Sequence, residues 1–130
     1  MTERTAAVKA VLEARPGAVA EPVSAPRAKA PSALIYKVMG KTFAILSIRG
    51  VEAVSLKCDT HLAEILRERY AGVGHRYHLD RRHWISVSLD ADVPAEEVER
   101  LAVGSYELVC DGLTRKQQAE LAALSAQPID

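Results

Sequence analysis

Cysteine is scarce in this chain: Cys58 and Cys110 are the only two, and they have neither CxxC spacing nor a small secreted framework around them. That excludes a disulfide scaffold and reads as reduced, partly buried thiols. No apolar run approaches the roughly 18 residues of a membrane span. The opening Met-Thr-Glu-Arg-Thr-Ala-Ala-Val lacks the basic start and apolar stretch of a signal peptide. A cytoplasmic protein without membrane contact is expected. GxSxG, P-loop, HExxH and dinucleotide fingerprints are all missing, so the expectation is a binding protein rather than an enzyme, with no cofactor. There are no internal repeats. An excess of charge of either sign is missing too: 17 Lys and Arg balance 17 Asp and Glu. The isoelectric point of about 6.9 is low for a dedicated DNA binder.

What is present is a chain of 130 residues, 48% hydrophobic and 26% charged, which suits one domain over residues 1–130 with a single core. The charge is unevenly placed. Residues 27–83 carry eleven Lys/Arg and five Asp/Glu, whereas residues 84–130 carry three and nine. Either the middle presents a basic face with the acidic segment elsewhere, or the two regions pack together and neutralise one another.

Thr2 is placed to cap a helix over about Glu3 to Ala14, stopped by Pro16-Gly17. Residues 18–32 are rich in Ala and Pro and read as a loop or arm. Leu34 to Val38 and Thr42 to Ile48 read as strands around a tight Met39-Gly40-Lys41 turn, with Gly40 at positive φ. Glu52 to Cys58 alternates as a third strand, with Val54, Leu56 and Cys58 on one face and Ala53, Ser55 and Lys57 on the other. Asp59 or Thr60 caps a helix to about Tyr70. His75 to Leu79 and His83 to Leu89 form a hairpin around Leu79-Asp80-Arg81-Arg82. Pro94 opens a helix that keeps its spacing to Gly112, and Thr114 with Gln117 makes a capping box for a last helix to about Ala123. The tail 125–130 is expected to fray. Strands joined by short turns predict an α+β domain: a mainly antiparallel sheet of about five strands, with helices packed on one face.

The stretch from Gly74 to Leu89 concentrates the chemistry, with three of the four histidines and the only tryptophan. A four-residue loop pairs His78 with His83 and Tyr77 with Trp84, which places His75, Tyr77, Trp84 and Ser86 on one face. Aromatic rings beside arginines suit stacking on bases and pairing with phosphates. The candidate nucleic-acid contacts are Lys57, His75, Arg76, Tyr77, His78, Arg81, Arg82, His83 and Trp84, and Lys37, Lys41 and Ser55 extend the same surface. Against this stands the bland reading that Trp84 simply covers the sheet under the first helix or the Pro-rich arm. His75, His78 and His83 lie close enough to suggest zinc, but no cysteine or carboxylate completes a standard spacing, so no metal site is assigned. Ser105 keeps the apolar register of its helix and reads as a packing residue.

Several of these segments also carry a resemblance. Ile35-Tyr36-Lys37-Val38-Met39-Gly40-Lys41-Thr42-Phe43-Ala44, Val54-Ser55-Leu56-Lys57-Cys58-Asp59 and Leu66-Arg67-Glu68-Arg69-Tyr70 resemble segments of the MmcQ/YjbR family. Tyr77-His78-Leu79-Asp80-Arg81-Arg82-His83-Trp84-Ile85 and Ser105-Tyr106-Glu107-Leu108-Val109 do so too, and the matches keep their order over about residues 34–113. The resemblance implies a small CyaY-like or secretion-chaperone-like domain, described as "double wing" and DNA-binding by analogy of shape. Shape alone does not give function. The Ala/Pro-rich basic segment after Ala18 departs from the family's shorter acidic and aromatic stretch. Nucleic acid is the leading partner. The alternatives are a protein-interaction or chaperone-like module, including a homodimer through a sheet face, and a small-molecule binder or enzyme using His78, His83 and Lys57.

Overall fold

The computed structural model describes residues 1–75 and 79–125. Helix α1 (Glu3–Glu13) starts where Thr2 accepts a hydrogen bond from the Thr5 amide, and it buries Val8 and Leu12. Strands β1 (Ala18–Val23), β2 (Ala33–Val38), β3 (Lys41–Ser47) and β4 (Ala53–Lys57) follow, then helix α2 (Thr60–Arg69). Asp59 caps α2 by accepting from the His61 and Leu62 amides. Strands β5 (Val73–Gly74) and β6 (Trp84–Ser88) and helices α3 (Ala95–Asp111) and α4 (Arg115–Ser125) complete the described chain. The capping box is present: Thr114 Oγ1 accepts from the Gln117 amide, and Gln117 accepts from the Thr114 amide.

The six strands form one antiparallel sheet in the order β1-β2-β3-β4-β6-β5. Period-two alternation sends Leu34, Leu46, Val54 and Val87 in one row, and Tyr36, Ala44, Leu56 and Ile85 in the next, to a single buried face. Helices α1 and α3 cover that face. Tyr36 donates to Glu13 of α1 at 3.0 Å, and Phe43 meets Tyr106 of α3 edge-on at 5.3 Å. Ser105 ties α3 to the sheet, donating to the Phe43 carbonyl at 2.6 Å and accepting from the Lys57 amide at 2.8 Å. The α+β class and the packing role of Ser105 are as the sequence implies.

Three expectations are corrected. Residues 18–32 are not all loop, because Ala18–Val23 pairs with β2 as the sixth strand, on the sheet edge. Pro22 is tolerated there because an edge strand needs fewer ladder donors. The strand predicted from His75 ends at Gly74, and Gly74 lies opposite Ser86, where the four-residue loop would put it opposite Val87. His75 is therefore outside the sheet. The expected pairings of Tyr77 and His78, and the role of Arg76, lie outside the described residues, as do residues 126–130 of the expected tail. Finally, Ser55 does not project as part of a charged surface but is buried.

Candidate nucleic-acid interface

Lys57 and Trp84 are direct cross-strand partners on β4 and β6. Such partners hold their Cβ atoms about 5 Å apart. Both are half-buried, on the face away from Leu56 and Ile85. That removes the reading in which Trp84 lies beneath α1: that helix packs on the other face. Ser86 stands beyond Trp84 on the same side and faces Ser55.

The turn leading into Trp84 is tightly built. The Asp80 carbonyl accepts from the His83 amide at 3.2 Å and the Trp84 amide at 2.9 Å. The Asp80 carboxylate accepts from the Arg82 amide at 2.9 Å and sits 2.6 Å from His83 Nδ1. The His83 hydrogen bond, followed by the Arg82 amide, holds the Asp80 carboxyl below its ordinary range. His75 Nε2 lies 2.7 Å from the Leu79 carbonyl oxygen, so this imidazole braces the turn instead of joining a row of contacts on the sheet. Behind the turn, Arg67 of α2 donates from Nη2 to the carbonyls of Arg81 at 2.6 Å and Trp84 at 3.0 Å. Arg81, Arg82 and His83 remain exposed, and among the described residues neither guanidinium of the first two has an ion-pair partner.

The sequence-predicted residues thus divide. Lys57, Trp84, Arg81, Arg82 and His83 come together at one end of the sheet, whereas His75 serves the turn. Lys37 is neutralised by Glu21 of β1 at 2.8 Å, and Lys41 is directed to the Gly112 carbonyl at the end of α3. Glu21 and Arg67 were not flagged by sequence reasoning. No local pattern marks either, since each acts on a residue brought near only by the fold. Among the described residues no group of three His, Cys, Asp or Glu side chains could hold a metal ion. A cleft of about 590 Å³ between α2 and the turn is lined by Thr60, Glu64, Arg67, Glu68, Asp80 and the two exposed arginines, with charges of both signs. Among the described residues no helix is long and apolar enough to cross a membrane.

The chain has relatives among known proteins. The family model described as YjbR matches residues 14–108. The uncharacterised protein YjbR of Escherichia coli K12 is 33% identical over 89 residues, covering 68% of this chain and 75% of that protein. YbdF of Escherichia coli O157:H7, also an uncharacterised protein, is 32% identical over 85 residues, covering 65% and 70%. The crystal structure of a Deinococcus radiodurans protein of domain family DUF419 superposes with a TM-score of 0.76 at 30% identity, covering 88% of this chain and 85% of that one. A Pseudomonas syringae protein superposes with a TM-score of 0.56 at 27% identity, over 68% and 86%.

Proposed function

We propose, from the premise that this chain belongs to the YjbR family, that it binds nucleic acid at the end of the sheet where Lys57 faces Trp84. The observation that carries this reading is the junction of that pair with the Asp80–His83 turn. An indole and an ammonium on the sheet stand at the end of a turn whose Arg81 and Arg82, separated from the indole by His83 alone, have no ion-pair partner among the described residues. Arginine and lysine supply phosphate contacts, which fix position without reading sequence, and an aromatic face supplies stacking that any base satisfies. The expected ligand is therefore a nucleic-acid strand bound with little sequence preference.

Fluorescence anisotropy of labelled single-stranded and duplex DNA across a salt series tests this. With Lys57, Arg81 and Arg82 each meeting a phosphate, micromolar affinity is expected, with a slope of log K against log salt of about −2 for single strands. Arg81→Ala/Arg82→Ala should weaken binding and flatten that slope by about 1.4. No binding at low salt, or unchanged affinity in the double variant, overturns the reading. A second reading, a protein-docking module, has its own observation: a groove of about 450 Å³ between α2 and α3 leaves Leu62 and Leu108 exposed at its rim.

A further inference from the structure

Building on the nucleic-acid reading, we infer that Arg67 is the positioning residue of the recognition turn. From α2 it fixes the backbone on both sides of Arg82 and His83, so that Arg81, Arg82 and Trp84 meet the strand already arranged. The bonds that Asp80 makes are internal to the turn. They set its shape but not its placement on the protein. Arg67 reaches across 14 and 17 residues of sequence to the carbonyls of Arg81 and Trp84, tying the turn to a helix that is itself anchored by the buried Ala63 and Leu66.

The same geometry separates Arg67 from the cations that meet phosphate. Its Nη2 is spent on two carbonyls, and its Nε is buried without a hydrogen-bond partner. A buried N–H left unsatisfied is unfavourable, and the two carbonyl bonds offset that cost. The Cys58 amide also holds the His83 carbonyl at 2.7 Å and His75 holds that of Leu79, so losing Arg67 loosens the Arg81–Trp84 backbone without releasing the turn. Ordering that remaining freedom at the moment of binding weakens association without removing any contact. Lysine at this position retains an ammonium that can hold one carbonyl but lacks the planar fork.

The test compares wild type with Arg67→Met and Arg67→Lys by two readouts: amide hydrogen exchange of residues 80–85 in the free protein, and the salt series on labelled single-stranded DNA. Arg67→Met should exchange faster at the turn and bind about tenfold more weakly, with the salt slope unchanged because no phosphate contact is lost. Arg67→Lys should fall between the two. Unchanged exchange in a folded Arg67→Met protein overturns the inference. So does a slope reduced by about 0.7, which would make Arg67 a direct phosphate contact, or wild-type affinity in a variant whose turn exchanges faster. Should the wild type bind no DNA at all, the functional reading fails, and the exchange comparison still decides whether Arg67 holds the turn.

Discussion

Cys58 shows how position in the fold fixes the chemistry of one side chain. It lies 4% exposed at the end of β4, and burial, reinforced by the neighbouring Asp59 charge, pushes its thiol up to about 11. A thiol raised in this way is inert. Thiol-reactive dyes should label Cys58 in the folded protein at pH 8 far more slowly than after unfolding. An equal labelling rate would contradict its burial. The folded protein holds this proton more tightly than the unfolded chain, whose thiol titrates near 8.5. The associated stability is therefore complete below about pH 8.5 and is lost as pH rises towards 11. Gly72 is constrained differently. Its amide and that of Ala71 donate to the Asp92 carboxylate at 2.7 and 2.8 Å, and a Cβ on residue 72 would lie 2.7 Å from the Ala91 Cβ. Gly72→Ala should therefore cost about 1–3 kcal/mol in a chemical denaturation curve, and Ala91→Gly in the same chain should recover part of the loss. Equal stability of Gly72→Ala and wild type would remove the clash.

Among the elements, those with strong periodicity were legible and those supported from outside were not. The caps at Thr2 and Asp59, the Thr114–Gln117 box and the positive φ of Gly40 followed from local chemistry that the fold leaves unchanged. Strand β1 was illegible because its side chains are mostly exposed, so no alternation of apolar residues marks it. Its partner β2 supplies the order. The bulge in β3 was hidden as well. The register shifts between Tyr36 and Lys37, and Phe43 and Ala44 both reach the core as neighbours. The β5–β6 connection failed by one residue of register, which exchanges sheet faces for any residue placed by counting back from the turn. Trp84 and Ser86 kept their face because they were read from their own strand. Helix α3 offers a test at this scale. Gly104 lies in its interior, and a Cβ there would meet nothing within 4 Å. Gly104→Ala should raise stability by about 1 kcal/mol, read as a higher melting temperature. A lower one would mean that the space over α3 is already filled.

On the scale of the whole molecule, no ion pair among the described residues joins the basic residues 27–83 to the acidic residues 84–130. The acidic α3 reaches the Lys57 backbone through Ser105 and shares a groove with Lys57, but among the described residues none of its carboxylates pairs with Lys57, Arg81 or Arg82. Lys37 is matched by Glu21 of β1, which belongs to neither of those two regions. Of the candidate contacts, Lys57, Arg81, Arg82, His83 and Trp84 could be named from sequence because they are adjacent in the chain or in a ladder. The way they are held depends on Asp80, His75 and Arg67, whose contacts follow from the turn and the packing of α2. Trp84 is the only tryptophan, so its emission reports on the centre of the proposed interface without a label. The most direct measurement is a titration of the protein with unlabelled single-stranded oligonucleotide at low salt, followed by Trp84 fluorescence. Stacking predicts saturable quenching that is reversed by added salt and weakened in Lys57→Ala. An emission spectrum that stays unchanged up to about 100 μM oligonucleotide, the weak end of nonspecific binding, would contradict the account.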